Sequence, residues 1–283
     1  MNKKSLSVKC FCNLNSSEFN KFTHKIFDYR KPPKGEINID FKRRYYRKYL
    51  ECKICGHFFS QHQLDLTNLY KNDYVNKTYG NYNSLIRKFN KIKNLKKTNS
   101  DNYFRVKRII NNLKKKKNPQ ICDVGSGLGI FPYFFNKNLT SKFSLIETDN
   151  KNISFLKKYL KFKNVFKNTE FFKKDNNKFD LITFNKILEH IEKPALLLKK
   201  YSKLLKKNGL IYIEVPDVLA AKKSFLREEF FVEHHHIFSL ISLIKLVNSS
   251  NLQINKIERI IEPSGKFTPV SYTHLTLPTK RIV

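Results

Sequence analysis

The stretch that decides the fold is ICDVGSGLGIF, residues 121–131. The chain of 283 residues has only 8 glycines, yet Gly125, Gly127 and Gly129 all fall within these few positions. A glycine lets the chain turn tightly and lets the backbone approach a ligand without an intervening Cβ atom. Because the loop follows an apolar strand and precedes a helix, whose free N–H groups can face a polar ligand, it predicts a cofactor site.

Downstream of this loop, apolar strands alternate with amphipathic helices. Strands are predicted at Phe143–Ile146, Phe179–Phe184 and Leu210–Val215. A helix opens at Pro194, and we expect it to stop at Asn208-Gly209, since proline at the start and glycine past the end are typical of helices. The alternation predicts an α/β fold with a Rossmann-like, doubly wound, mostly parallel seven-stranded sheet whose last strand is antiparallel.

Polar residues stand where three of these strands end. Glu147 ends the second strand, Asn185 the fourth, and Pro216-Asp217 follows Leu210–Val215, while the glycine loop follows the first strand. Ligands of such sheets bind outside the carboxyl ends of the strands, so these side chains should share one crevice. A dinucleotide fingerprint would need glycine at position 130, where the chain has Ile130, which argues against a dehydrogenase.

Several motifs occur in a fixed order between residues 104 and 269, namely DVGSGLG, SLIETD, FDLITFNKILEHIEKP and LLKKNGLIYIEVPD. With them the chain resembles the class I S-adenosylmethionine-dependent methyltransferases. The resemblance implies that the glycine loop borders the methionine end of the cofactor, that Asp123 orients its amino group and that Glu147 binds its ribose. On the adenine side of the cofactor, the candidate acidic residue is Glu170. The implied cofactor-binding residues are Asp123, Gly125, Ser126, Gly127, Gly129, Glu147 and Asn185.

Two Glu-His pairs are candidates for catalysis, because an oxygen or carbon acceptor needs a base to remove a proton. Glu189-His190 follows the fourth strand, and Glu233-His234 lies in FFVEHHHIFS, residues 230–239. We take His190, Glu233 and His234 as the catalytic candidates; the alternative for each is a packed, capping or solvated side chain. Three consecutive histidines cannot all face one metal ion from regular structure, so we expect no metal site there.

The second pair resembles the E-H-x-x-x-F-S segment of methyltransferases from sugar and surface-glycan pathways. In the sugar C-methyltransferases among them, a tyrosine precedes the Glu-His pair and contributes to catalysis. The corresponding position here is Phe231, which speaks against transfer to carbon.

Four of the five cysteines lie before residue 70, as Cys10-x-Cys12 and Cys52-x-x-Cys55. Two pairs in a small basic segment indicate a structural zinc site rather than disulfides, with free thiols as the alternative. The stretch also resembles the zinc-binding N-terminal module of sugar-pathway methyltransferases. His57 and His62 are less favoured substitute ligands. Cys122 lies in a predicted strand and should be a buried small hydrophobe.

The formal net charge is +33, from 56 Lys+Arg against 23 Asp+Glu. The lysines are spread along the chain, which favours compositional drift over a specific nucleic-acid surface. The resemblance to sugar and surface-glycan pathway methyltransferases implies a small-molecule or sugar-nucleotide acceptor in glycan assembly. An RNA methyltransferase and a non-catalytic binding module are the alternatives. The sequence shows no signal peptide and no apolar run of about 18 residues, so we expect a cytoplasmic protein without a membrane span.

The predicted organisation has three parts and a tail. Residues 1–70 form the zinc-ribbon-like module, 71–104 a connection and 105–269 the methyltransferase domain. Val270–Thr279, VSYTHLTLPT, resembles the translation of a transposase adapter used in sequencing libraries, so we exclude residues 270–283 from the fold. On this interpretation the strand that begins at Lys266 is truncated.

Overall fold

A mostly parallel sheet forms the centre of the structure, a computed structural model that describes residues 9–13, 19–34, 36, 44–61, 82–113, 116–168, 178–219 and 228–275. Its strands are β4 (Gln120–Val124), β5 (Lys142–Ile146), β6 (Val165–Phe166), β7 (Phe179–Asn185), β8 (Leu205–Glu214), β10 (Leu252–Ile261) and β11 (Phe267–Leu275). Their order is β10-β11-β8-β7-β4-β5-β6. Neighbours pair in parallel except β11, which is antiparallel to both β8 and β10. The predicted fold class is confirmed.

Helices cover both faces of this sheet because successive strand residues point to opposite sides. The helices are α1 (Tyr82–Lys93), α2 (Asp101–Asn112), α3 (Ile130–Asn138), α4 (Asn150–Lys158), α5 (Pro194–Ser202) and α6 (Leu240–Ser249). Cys122 and Val124 belong to one core with side chains of α5 and α6, whereas Ile121 belongs to a second core with side chains of α2, α3 and α4.

Side-chain caps fix where two helices begin. The Asp149 carboxylate accepts hydrogen bonds from two backbone N–H groups in the first turn of α4. The Ser239 hydroxyl accepts one from the backbone N–H of Ser242, whose own hydroxyl accepts from the Ser239 backbone N–H. This reciprocal cap confirms the predicted start of α6 and satisfies N–H groups that a helix leaves without partners.

A second sheet joins three N-terminal strands to one short strand near residue 236. It consists of β1 (Phe22–Tyr29), β2 (Tyr45–Cys52), β3 (Phe58–Ser60) and β9 (His236–Ile237), paired in that order. Phe58 and Phe59 of β3 pair with Ile237 and His236 of β9. The cysteine-bearing segment is therefore joined by backbone hydrogen bonds to the segment that follows Glu233-His234.

Two predicted boundaries are corrected by the structure. Helix α5 ends at Ser202 rather than Asn208, because the apolar residues Leu204 and Leu205 already turn into the start of β8. The last strand is not cut short near residue 269, since β11 continues to Leu275 with Val270 and Tyr272 buried in the core. Residues up to 275 therefore belong to the fold.

Within the described residues, no helix combines the length and the apolar character needed to cross a membrane.

Candidate functional site

The glycine loop lies at the carboxyl end of β4, beside the ends of β5 and β7. Gly127 has φ 51°, and a Cβ atom added there would meet nothing within 4 Å. Gly125 has φ 70°, and a Cβ atom there would lie 2.1 Å from Cδ1 of Ile187. A side chain at Gly125 would thus collide with the wall of the crevice, whereas Gly127 leaves open space beside its backbone.

Glu147 at the end of β5 faces this loop. Its Oε2 accepts a hydrogen bond from the Gly127 N–H at 2.7 Å, and its Oε1 accepts from the N–H groups of Thr148 and Asp149. Burial raises the pKa of this carboxyl, while those backbone N–H groups act in the opposite direction. The carboxylate is held rigidly at the edge of the crevice, where it can accept hydrogen bonds from ligand hydroxyls.

Asp123 and Asn185 form a buried polar pair across β4 and β7. Oδ1 of Asp123 accepts from the Thr183 hydroxyl at 2.6 Å and from Nδ2 of Asn185 at 3.0 Å. Burial raises the pKa of Asp123 to about 6, although these hydrogen bonds lower it. Oδ1 of Asn185 is buried and has no hydrogen-bond partner among the described residues.

This crevice fits S-adenosylmethionine by the chemistry of its groups. An acceptor without a partner at Asn185 suits a donor such as the ammonium group of the cofactor. The space beside Gly127 and the fixed carboxylate of Glu147 suit the backbone and the ribose hydroxyls of a nucleoside. The structure brings these three sequence-predicted residues together, with Ser126 in the same loop, where its hydroxyl donates to the Asp123 carbonyl oxygen at 3.0 Å. Glu170, the guess for the adenine side, lies outside the described residues.

The two Glu-His pairs, although distant in sequence, form one cluster. The rings of His190 and His234 stack edge to face with centroids 4.6 Å apart. Nδ1 of His190 lies 3.3 Å from the carbonyl oxygen of Glu233, and Nδ1 of His234 lies 2.8 Å from that of Glu229. A carbonyl oxygen only accepts, so each Nδ1 carries the proton and each Nε2 carries the lone pair.

Both Nε2 atoms lie near carboxylates. His190 Nε2 is 4.0 Å from Glu189 Oε1, and His234 Nε2 is 3.8 Å from Glu233 Oε1. Burial lowers the pKa of His234 to about 4 and that of His190 well below its ordinary value. Burial likewise raises the pKa of Glu233 to about 7, with the charges of Glu36 and Glu228 adding to it. Near neutral pH the cluster can therefore both hold and release a proton.

The neighbouring histidines, His235 and His236, have different contacts. His236 lies in β9 and contacts His57, whereas His235 donates its backbone N–H to the Glu189 carbonyl oxygen at 2.8 Å. His234, His235 and His236 therefore face different partners. Their segment nevertheless contributes His234 to a group with Glu189 and His190 whose metal-ligating atoms lie within 4.8 Å of one another.

The four N-terminal cysteines also converge. Cys10 Sγ lies 3.2 Å from Cys12 Sγ and 3.4 Å from Cys55 Sγ, and Cys12 Sγ lies 3.6 Å from Cys52 Sγ. All are free thiols. Four sulfurs around zinc, each at about 2.3 Å, would stand about 3.8 Å apart, so a small expansion accommodates the ion. His57, a substitute ligand by sequence, is engaged elsewhere, and His62 lies outside the described residues.

Some functional neighbours were missed by sequence reasoning. Glu36, in a weakly patterned segment, accepts the backbone N–H of Val232 through its carboxylate at 3.1 Å. Arg47 on β2 is buried, with 1% exposure. Neither stands in a motif, and the only signal was their nearness to the cysteine pairs, which does not specify a long-range contact.

Comparison with known proteins agrees with this geometry. The family model described as a methyltransferase domain matches residues 99–257. The search of curated proteins found no match.

Solved structures share the fold. The S-adenosylmethionine-dependent methyltransferase from Aquifex aeolicus is 14% identical with TM-score 0.51, covering 67% of this chain and 98% of its own. A second match is the complex between the Haloferax volcanii Trm112 methyltransferase activator and the putative methyltransferase. The identity is 9% and the TM-score 0.54, and the match covers 70% of this chain and 98% of that one. The CurJ carbon methyltransferase is 12% identical with TM-score 0.53, and the match covers 71% of this chain and 61% of that one.

Proposed function

This chain belongs to the methyltransferase-domain family, and we propose that it uses S-adenosylmethionine to methylate a small-molecule or sugar-nucleotide acceptor in glycan assembly. The observation that carries the proposal is the crevice formed by Gly127, Glu147 and Asn185. It offers open space beside a glycine backbone, a fixed carboxylate and a buried acceptor without a partner among the described residues.

In this proposal Asn185 receives the ammonium group of the cofactor and Glu147 its ribose hydroxyls, while the loop of Gly125, Ser126, Gly127 and Gly129 leaves room for the rest. Asp123 acts indirectly, since its carboxylate holds the Asn185 amide in place at 3.0 Å. When bound, the cofactor supplies a methyl group already activated by its sulfonium. What remains for the protein is to orient the acceptor, exclude water and remove a proton.

The Glu233–His234 pair is placed to remove that proton. His234 presents the lone pair of Nε2 because its Nδ1 proton is held by the Glu229 carbonyl oxygen. Glu233, with a pKa of about 7, is matched to proton transfer near neutral pH. His190 packs against His234 and fixes the orientation of its ring. Phe231 brings no hydroxyl to this cluster, which favours a heteroatom acceptor over carbon.

We further propose that Cys10, Cys12, Cys52 and Cys55 hold one structural zinc ion. Zinc sites of four cysteines are closed to substrate and stabilise small domains. The ion would lie on the face of the N-terminal sheet that contacts α6, where the Ser239 hydroxyl donates to the Cys55 carbonyl oxygen.

The test of the proposed activity is calorimetric titration with S-adenosylmethionine. Wild type should bind with micromolar affinity, and Gly127→Arg and Glu147→Ala should each abolish binding. Glu258→Ala removes a carboxylate from the edge strand β10 and serves as the matched control, which should bind like wild type. Absence of binding to folded wild type would contradict the proposal.

A further inference from the structure

Arg47 is a buried cation without a carboxylate partner among the described residues. It lies on β2 with 1% exposure, and only Nη2 is engaged, donating to the Tyr49 hydroxyl at 2.7 Å and the Ser60 hydroxyl at 2.8 Å. Nε and Nη1 are buried and have no hydrogen-bond partner in the described part of the chain. Three N–H donors of the guanidinium are thus left without an acceptor.

The other arginines of the interior are matched by acids. Arg105 forms a two-point ion pair with Glu214, and the half-buried Arg108 pairs with Glu262 at 3.0 Å. Arg47 also lies over the face of the Tyr49 ring, with its Cζ atom 5.1 Å from the ring centroid. A cation–π contact offsets a small part of the cost of removing a full charge from water. A group in this state requires a physical explanation.

The position of Arg47 explains why a buried charge is kept there. Its neighbour Tyr49 donates a hydrogen bond to the Phe230 carbonyl oxygen, and Glu36 on the same side accepts the N–H of Val232. The sheet face that carries Arg47 is therefore packed on the segment with Glu233 and His234. Burial is the main reason for the low pKa of His234, and the Arg47 charge lowers it further, as expected of a cation close to the candidate base.

We propose that Arg47 binds an anionic group of the methyl acceptor, a phosphate or a carboxylate, beside the Glu233–His234 pair. The guanidinium is planar, permanently charged and weakly hydrated, and its donors match the oxygens of both groups. The inference rests on the proposed function and narrows it, because a sugar nucleotide carries such a group in its diphosphate. An anion there would neutralise the charge and accept the unmatched N–H donors.

Thermal melting of the full chain tests the site without knowing the acceptor. Wild type, Arg47→Met and Arg44→Met are melted in chloride and in phosphate, pyrophosphate or acetate at equal ionic strength. Arg44 is the matched control, since it is exposed near the start of β2 and pairs with Asp28 at 2.7 Å. We expect at least one of these anions to raise the wild-type melting temperature, by about 5 °C at 100 times its Kd. The anion that protects identifies the group.

Arg44→Met should keep this protection and Arg47→Met should lose it. In chloride, Arg47→Met should melt no lower than wild type, because it removes an uncompensated buried charge. Equal protection of Arg47→Met and wild type, or no protection by any of the anions, would overturn the inference. If Arg47→Met fails to fold, Arg47→Lys replaces it, and the anion concentration for half-maximal protection should rise about tenfold; an unchanged concentration also overturns the inference.

The two proposals fail separately. Arg47→Met should bind S-adenosylmethionine like wild type, because Arg47 belongs to the other sheet. Loss of cofactor binding by wild type contradicts the proposed function, whereas binding of cofactor without Arg47-dependent protection contradicts only the anion site.

Discussion

Nε2 of His57 lies 3.0 Å from Nδ1 of His236, and both rings are buried. On the far side, His236 Nε2 is 3.1 Å from the Glu192 carbonyl oxygen, which only accepts, so His236 carries its proton on Nε2. His57 therefore donates to His236, and its own Nδ1 faces the Ser242 hydroxyl at 3.1 Å. One hydrogen-bonded chain thus connects the N-terminal sheet with α6 and the loop after His190.

This chain of hydrogen bonds predicts that His57 holds residues 233–238, the candidate catalytic segment, in position. His57→Ala leaves His236 Nδ1 buried without its donor, which should cost about 1–3 kcal/mol of unfolding free energy. Backbone amides of residues 233–238 should exchange with deuterium faster, while those of β4 stay protected. The matched control is His24→Ala on the exposed side of β1, which should leave exchange in both regions unchanged. Equal exchange in His57→Ala and His24→Ala would show that the hydrogen bonds of His57 do not position residues 233–238.

Buried Glu189 predicts a distinct pH dependence of stability. Burial raises its pKa from an ordinary 4.5 to about 8. Between these values the folded chain binds a proton that the unfolded chain has lost, so this group's stabilisation is complete below pH 4.5 and is lost as pH rises through 8. The slope is about 1.4 kcal/mol per pH unit within the window.

Glu189→Gln cannot titrate, so its unfolding free energy should fall less than that of wild type between pH 5 and pH 8. Urea unfolding at a series of pH values gives the difference directly. Glu258→Gln, which removes the partner of Lys256 on the edge strand, is the charge-matched control. Parallel curves for wild type and Glu189→Gln would contradict the prediction.

The sulfur cluster predicts one zinc ion per chain. Cys12→Ser removes one ligand of four and should lower the zinc content measured by mass spectrometry, together with the melting temperature. Cys122→Ala changes a cysteine that is fully buried in β4, away from the cluster, and should keep the zinc at one per chain. Equal zinc content in the two variants would mean that the cluster is not the zinc site.

Much of the central sheet was predictable because local pattern and long-range burial agree there. The predicted strands Phe143–Ile146 and Phe179–Phe184 each differ from the observed β5 and β7 by one residue, since each is a short apolar run. The crevice followed from the same pattern, because parallel strands bring Asp123, Glu147 and Asn185 to one edge.

The rest depends on contacts that no local pattern encodes. That His190 and His234 pack together is a consequence of the fold, as is the burial that shifts the pKa of Glu189. Exclusion of residues 270–283 failed for β11 for a related reason: β8 and β10 offer two open edges, and alternating Val270 and Tyr272 satisfy both the pairing and the core. Residues 270–275 resemble an adapter sequence, but their alternating apolar residues still let them pair as part of β11.

The ion pair of Arg105 and Glu214 predicts the largest single loss of stability. Glu214 is fully buried at the end of β8, where Arg105 binds both carboxylate oxygens and the Tyr212 hydroxyl donates at 2.8 Å. The Arg105 charge and its hydrogen bonds outweigh desolvation and lower the pKa of Glu214 to about 2. Arg105→Ala removes both hydrogen bonds to that buried carboxylate and leaves only Arg108, 3.7 Å away, as its cationic partner among the described residues, so it should cost about 3–5 kcal/mol in urea unfolding.

Two further variants separate charge from volume. The double variant Arg105→Met/Glu214→Gln removes both charges and keeps the side-chain bulk, so it should cost less than Arg105→Ala alone. Arg87→Ala, on the exposed side of α1, removes an arginine whose guanidinium contacts the Ser84 hydroxyl, and should change stability little. If Arg105→Ala unfolds at the same urea concentration as Arg87→Ala, the ion pair of Arg105 and Glu214 does not stabilise the fold.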